Sequence, residues 1–301
     1  MNTQNKYDVV IIGSGLGGMV CGTILAKEGK RVCIIEKNEQ LGGCLQTFKR
    51  EGVTFDTGVH YIGNLAPGNN LYKIFNYLGI MERLETVRMN EDGFDVVLFK
   101  DDEQEYSYGM GYRNFKKKLL ERFPEERAAI EKYCSNMQSI CNGIPLYNLR
   151  DGDPQDMWPF TTGVKEYLEQ LTSNKKLQNV LAGTNLLYAG TGKTPLYVHA
   201  LVVNSYIESA YKIKHGGDQI VKLMARMIKE HGGDILRKHE VKKIHVENGE
   251  AKFVELNNGE RVYGDMFISN IHPAKTLDMT DTDAIRSVYR NRIKGLENSI
   301  S

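Results

Sequence analysis

The chain has 301 residues and a formal net charge of +1, with 41% hydrophobic and 26% charged residues. That length accommodates two domains with sizeable cores, and the composition excludes a disordered or low-complexity chain. The scattered lysines and arginines give no bulk electrostatic reason to expect a nucleic acid, and the one short run, Lys116-Lys117-Lys118, reads as a solvated helix face.

Residues 7–12 form a short apolar run that ends in glycines, as expected of a buried parallel strand. Residues 19–27 have helical composition and stop at Gly29, a C-cap. Residues 31–35 are then a second strand, which closes a βαβ unit. A glycine-rich loop follows, and "REGVTFDTGVHYIG" sets β-branched and aromatic residues between turns. From 111 to 142 the pattern is helical, with Pro124 as a helix start; the next loop carries Pro145, Pro154 and Pro159. Further helical pieces run over 164–213, broken by "AGTGKTP". The stretch "GGDQIVKLMARMIKEHGG" is an amphipathic helix between glycine doublets. Behind it, Asn248-Gly249 and Asn258-Gly259 are hairpin turns in a three-stranded meander. Residues 284–301 begin an element and stop without a cap or polar tail, so a C-terminally truncated chain is expected.

Five cysteines (Cys21, Cys33, Cys44, Cys134, Cys141) form no CxxC pair and read as reduced thiols. No leader pattern is visible, and no window approaches the ~18–20 uninterrupted apolar residues needed to span a bilayer. A cytoplasmic protein is expected, with a peripheral contact at the inner face of the membrane left open. The oligomeric state stays open. The seven histidines are dispersed, so no metal site is expected. "TGKT" at 191–194 lacks the glycine spacing of a phosphate loop.

The first motif is Gly13-Ser14-Gly15-Leu16-Gly17-Gly18, a GxGxxG between a strand and a helix. Gly13 permits a tight turn, Gly15 lets backbone approach a pyrophosphate, and Gly18 lets the helix pack closely on the strand. Glu36, ending the second strand, suits a ribose diol and repels a 2′-phosphate. A simple NAD-binding domain has no need of the doublet Gly42-Gly43 that follows. Glutathione-reductase-type flavoproteins do, where the chain folds back against the ribityl pyrophosphate.

The pattern resembles that superfamily, and within it the phytoene dehydrogenase, carotenoid isomerase and retinol-saturase-like group. The resemblance rests on "GSGLGGMVCGTILAKEGKRVCIIEKNEQLGGCLQTF", "GVTFDTGVHYIG", "PLYVHALVVNSYIESAY", "GGDQIVKLMARMIKEHGGDILRKHEVKKI" and "FISNIHP". It implies an α/β fold: a Rossmann-like, three-layer FAD-binding domain of glutathione-reductase type, with an inserted, mainly helical substrate or lid region. The expected boundaries are 1–67 and 213–272 for the FAD domain, 68–212 for the insert, and 273–301 for the start of a truncated substrate domain. FAD is the implied cofactor, with NAD(P)H as a candidate electron donor. Its implied contacts are Gly13, Gly15, Leu16, Gly17, Gly18, Glu36, Lys37, Gly42, Gly43, Cys44, Thr57, Gly58, Val241 and Asn270. Many members have Arg where this chain has Cys44, which puts one flavin or phosphate contact in doubt.

The resemblance also implies hydride transfer between flavin and a carbon–carbon bond of an apolar polyene or isoprenoid. His60, Tyr61 and His199 are the candidates for lining the substrate side. For Asp56 the simpler role is capping backbone amides at a strand end, and for His199 a satisfied core histidine is an equal alternative. Two other functions stay open: flavin-dependent cis–trans isomerisation, and a flavin-binding fragment without catalysis. Direct NAD-only dehydrogenation is disfavoured by Gly42-Gly43.

Overall fold

A computed structural model describes residues 6–281 and 285–296 and divides the chain into two compact units. Of the described residues, the first takes in 6–60, 75–85, 213–281 and 285–296; the second takes in 61–74 and 86–212. In chain order the elements begin with β1 (Lys6–Ile12), α1 (Leu16–Lys27), β2 (Val32–Glu36), β3 (Thr47–Arg50), β4 (Val53–Asp56) and β5 (Ile62–Gly63). Next come α2 (Asn70–Tyr77), β6 (Thr86–Arg88), β7 (Asp95–Phe99), β8 (Asp102–Tyr108), α3 (Tyr112–Arg122) and α4 (Arg127–Asn142). After α5 (Trp158–Thr161), α6 (Val164–Leu171), α7 (Lys175–Leu181) and α8 (Leu196–Glu208), strand β9 (Ala210–Ile213) returns the chain. It closes with α9 (Asp218–Glu230), β10 (Asp234–Arg237), β11 (Val241–Glu247), β12 (Glu250–Leu256), β13 (Arg261–Ser269), α10 (Pro273–Met279), β14 (Thr280–Asp281) and α11 (Ser287–Lys294).

The first unit is built on a sheet in the order β10-β2-β1-β13-β12-β11-β14. Its left half, β10-β2-β1-β13, is parallel, and β2 is buried along its whole length, as a strand covered on both faces must be. On one face lie α1 and α9. They approach closely because Gly22 has no side chain: a Cβ there would come within 2.7 Å of Ile34 Cδ1 and 3.4 Å of Ile228 Cδ1. On the other face Val10, Ile12, Cys33 and Ile35 pack with Val241, Ile244, Val254, Leu256 and Val262 of the meander. The result is the three-layer, Rossmann-like α/β arrangement expected. Strand β13 belongs to both halves, pairing antiparallel with β12 through Arg261 to Tyr263 and parallel with β1 through Tyr263 to Ser269.

Both meander turns form, by different chemistry. Asn248 and Gly249 both have positive φ (52° and 80°), the requirement of a two-residue type I′ turn. In the second turn only Gly259 is left-handed, at 86°, and the Leu256 N–H reaches Glu260 O at 2.9 Å; this is a longer loop.

The second unit is helical around one aromatic core, with Phe115, Tyr133, Met137, Leu177 and Leu196 almost wholly buried. It also contains the β7–β8 hairpin and a small sheet, β5-β9-β6. The boundaries differ from the sequence expectation at three places. Residues 75–85 belong with the first unit because Leu78 and Ile80 are fully buried, and the Glu85 N–H donates to Gln219 Oε1 of α9. Residues 61–67 belong with the second, where Tyr61 packs on Tyr206 and Gly63 pairs with Ala210. Strand β14 pairs with β11, so residues 273–281 continue the first unit. Among the described residues no helix is long and apolar enough to cross a membrane.

Candidate functional site

The two glycine clusters meet. Gly13 turns the chain at φ 95°, its N–H donating to Ile35 O at 2.8 Å, and Gly15 then caps α1. The N-cap, Gly15, has no side chain to accept a first-turn N–H of α1, and no acidic residue stands in that turn. This helix end is therefore a cradle for an anion. Gly18 must be glycine: a Cβ there would lie 2.2 Å from the backbone oxygen of Gly13.

The doublet folds back onto this loop. Gly42 and Gly43 both have positive φ (111° and 56°), Gly42 forms a parallel bridge with Gly15, and a Cβ on Gly43 would sit 3.4 Å from Gly15 Cα. Between the two turns stands Ser14, fully buried. Its hydroxyl donates to Glu36 Oε2 at 2.6 Å and accepts from the Gly42 N–H at 3.2 Å. Its own N–H donates to the same Glu36 oxygen at 3.0 Å, and the Asn38 N–H reaches Oε1 at 2.9 Å. Three donors thus sustain the carboxylate in a position only 7% exposed, where an unsatisfied charge would be costly.

Asn270, just beyond β13, covers the loop from the other side. Cβ atoms on Gly15, Gly17 and Gly18 would approach its side chain to 3.1, 2.7 and 3.1 Å. Thr57 donates from its hydroxyl to Gln46 O at 2.8 Å, and Gly58 lies so close to the doublet turn that a Cβ would meet Cys44 O at 3.0 Å. Leu16, Lys37, Cys44 and His60 are exposed, while Val241 opens β11 with its side chain in the core. Asp56 Oδ1 accepts from the Gly217 N–H at 2.6 Å, the capping role read from the sequence.

Tyr61 and His199 lie in the second unit. The Tyr61 hydroxyl donates to Asp95 Oδ2 at 2.6 Å, and burial together with that carboxylate holds its phenol above the usual range. His199 is wholly buried in the aromatic core, with Tyr133 Oη 2.8 Å from Nε2 and Tyr188 Oη 2.9 Å from Nδ1. Tyr188 also donates to Asn185 Oδ1. One direction satisfies every group: Tyr133 donates to Nε2, Nδ1–H donates to Tyr188, and Tyr188 donates to Asn185. Desolvation accordingly lowers the His199 pKa to about 4. Among the described residues, no three His, Cys, Asp or Glu side chains are grouped to hold a metal.

Ser14 was not singled out from the sequence. The available signal was that it is the one polar side chain inside the glycine motif.

Residues 11–78 match the family model of an NAD(P)-binding Rossmann-like domain. The chain is 32% identical over 292 residues to the all-trans-retinol 13,14-reductase of Macaca fascicularis, covering 88% of this chain and 47% of that protein. It is 26% identical to the chloroplastic prolycopene isomerase of Daucus carota, over 90% of this chain and 47% of the plant protein. The chain is a relative of the retinol and carotenoid oxidoreductases. It spans about half the length of these relatives. Among solved structures, an oxidoreductase from Methanosarcina mazei superposes with a TM-score of 0.70 at 19% identity, covering 96% of this chain and 65% of that one. That likeness supports the fold. The residues of the glycine site fit the dinucleotide cofactor that this relationship implies: a backbone cradle, an uncapped helix start and a buried, oriented carboxylate converge in one unit.

Proposed function

We propose that the chain binds FAD at the joined glycine turns and forms part of an oxidoreductase acting on a carbon–carbon bond of an apolar polyene or isoprenoid. The observation that carries the cofactor reading is the bridge between Gly15 and Gly42, which brings the second turn onto the first. A domain for NAD alone has no need of that second turn. The substrate class is supported by the names of the relatives, which act on retinol and prolycopene. When bound, a flavin supplies hydride transfer, with NAD(P)H as the proposed external donor.

The chain's own residues bind and orient. The first-turn N–H groups of α1 attract the pyrophosphate, glycine at 15 and 43 lets Asn270 and the doublet turn close on the loop, and Glu36 accepts from the ribose. His60 and Tyr61 directly follow the segment packed on the doublet turn, and we assign them to the substrate side. His199, closed on both ring nitrogens, is left out of that set.

The test is to release the cofactor from purified protein and identify it chromatographically. FAD is expected; NAD alone would refute the reading. Anaerobic titration with NADH and then NADPH, followed by product analysis on a polyene, distinguishes saturation or desaturation from isomerisation without net turnover of reductant.

A further inference from the structure

We infer that Ser14 is a positioning residue for the dinucleotide, a latch that orients Glu36 and holds the second glycine turn against the first. The inference rests on the flavin reading above and concerns how this chain presents its ribose acid.

A carboxylate on a strand end is free to rotate about its last side-chain bond, and a rotating acid presents its lone pairs poorly. Here rotation is blocked from both sides. Ser14 places two donors on Oε2, at 2.6 and 3.0 Å, and Asn38 places one on Oε1, at 2.9 Å. A carboxylate has about four acceptor positions, two on each oxygen. Oε2 is therefore filled, and the open position lies on Oε1, away from Ser14. Backbone donors alone would supply only one bond to each oxygen; the hydroxyl is what saturates Oε2.

The same hydroxyl accepts from Gly42 N–H at 3.2 Å in a part of the molecule closed to water. Alanine at 14 would leave that N–H without its acceptor and Oε2 one donor short. Ser14 thus ties three chain segments, the first glycine turn, the end of β2 and the doublet, through one oxygen atom. A residue there that only filled space would need no hydroxyl.

The test is FAD titration, by quenching of flavin fluorescence, of the wild-type chain, Ser14→Ala, Glu36→Gln and the double variant. Melting of each cofactor-free protein serves as the fold control. Ser14→Ala is expected to stay folded but melt below the wild type, because a buried N–H loses its acceptor, and to bind FAD about tenfold or more weakly, a change of about 1.4 kcal/mol. Because Ser14 acts through Glu36, the serine substitution should cost less than about threefold once Glu36→Gln is present, by the logic of a double-mutant cycle. If Ser14→Ala loses its fold, amide hydrogen exchange in Ser14→Thr, which keeps the hydroxyl, should still show a protected Gly42 N–H, and its FAD affinity should stay near the wild type. Unchanged affinity in Ser14→Ala, full additivity with Glu36→Gln, or weak FAD binding by a well-folded Ser14→Thr would each overturn the latch while leaving the flavin reading intact. A wild-type chain that takes up no FAD would overturn both.

Discussion

Buried between two tyrosines, His199 should make stability depend on pH in a way that can be calculated. Its folded pKa is lowered to about 4 by desolvation, against the ordinary value of 6.5. Between these values the unfolded chain binds a proton that the folded chain refuses, so stability is full above 6.5 and is lost as pH falls toward 4. The separation corresponds to ~3 kcal/mol at the acid limit, and about 2.5 kcal/mol of it is gone at about pH 4.5. The assay is urea unfolding followed by near-ultraviolet dichroism of the tyrosine core, at about pH 7.5 and about pH 4.5, for the wild type and His199→Gln. At the higher pH the variant should be less stable by roughly 1–3 kcal/mol, because a shorter amide cannot bridge Tyr133 and Tyr188. On acidification it should lose roughly 2–3 kcal/mol less than the wild type, the histidine's share of the pH dependence. Equal losses in both proteins would refute the reasoning and show that His199 takes up its proton from water, as a cavity-facing residue would.

Glu36→Ala should weaken FAD binding at least about tenfold in the same titration, since the ribose loses a charged acceptor; unchanged affinity would show that the acid does not face the ribose. Gly42→Val should destabilise the first unit by roughly 1–3 kcal/mol, measured by melting, since φ is 111° and the new Cβ would lie 2.7 Å from Val221 Cγ2. Asp56→Ala should cost about 1–3 kcal/mol and speed amide exchange at Gly217, whose N–H it accepts at 2.6 Å. Normal protection of that amide in the variant would assign the cap to another group.

The nucleotide-binding half was legible because its signals are local. Strands β1 and β2 read as buried from the apolar runs at 9–12 and 32–35, and Gly13, Gly42 and Gly249 announce turns by the left-handed backbone they adopt. Strand β10 escaped notice because it holds only Ile235 and Leu236 between polar ends, and its pairing with β2 is invisible until the chain folds. The β7–β8 hairpin was missed likewise: β8 opens with "DEQE", and its burial is confined to Tyr106 and Tyr108 near its end. In the site, the backbone motifs were readable but the bonds of Ser14 were not. They depend on Glu36 and Gly42 arriving from two other segments, and no spacing rule encodes that meeting.

The double allegiance of β13 has a consequence for the order in which the molecule can be made. Strand β1 leaves the ribosome early, yet one flank of it is completed only when β13 arrives, with Ile12 against Ser269. At about 5–20 residues per second, synthesis leaves that edge waiting on the order of tens of seconds. The inserted unit is finished in the meantime, and its first and last strands, β5 and β9, lie side by side with Ile62 opposite Tyr211. Once that pair forms, the long excursion becomes a short tether, and the entropy of bringing the two halves of the first unit together has largely been spent. The insert thus serves as an assembly aid for the unit that surrounds it in sequence, and a lesion at the β5–β9 pair should slow cofactor capture without touching any cofactor contact.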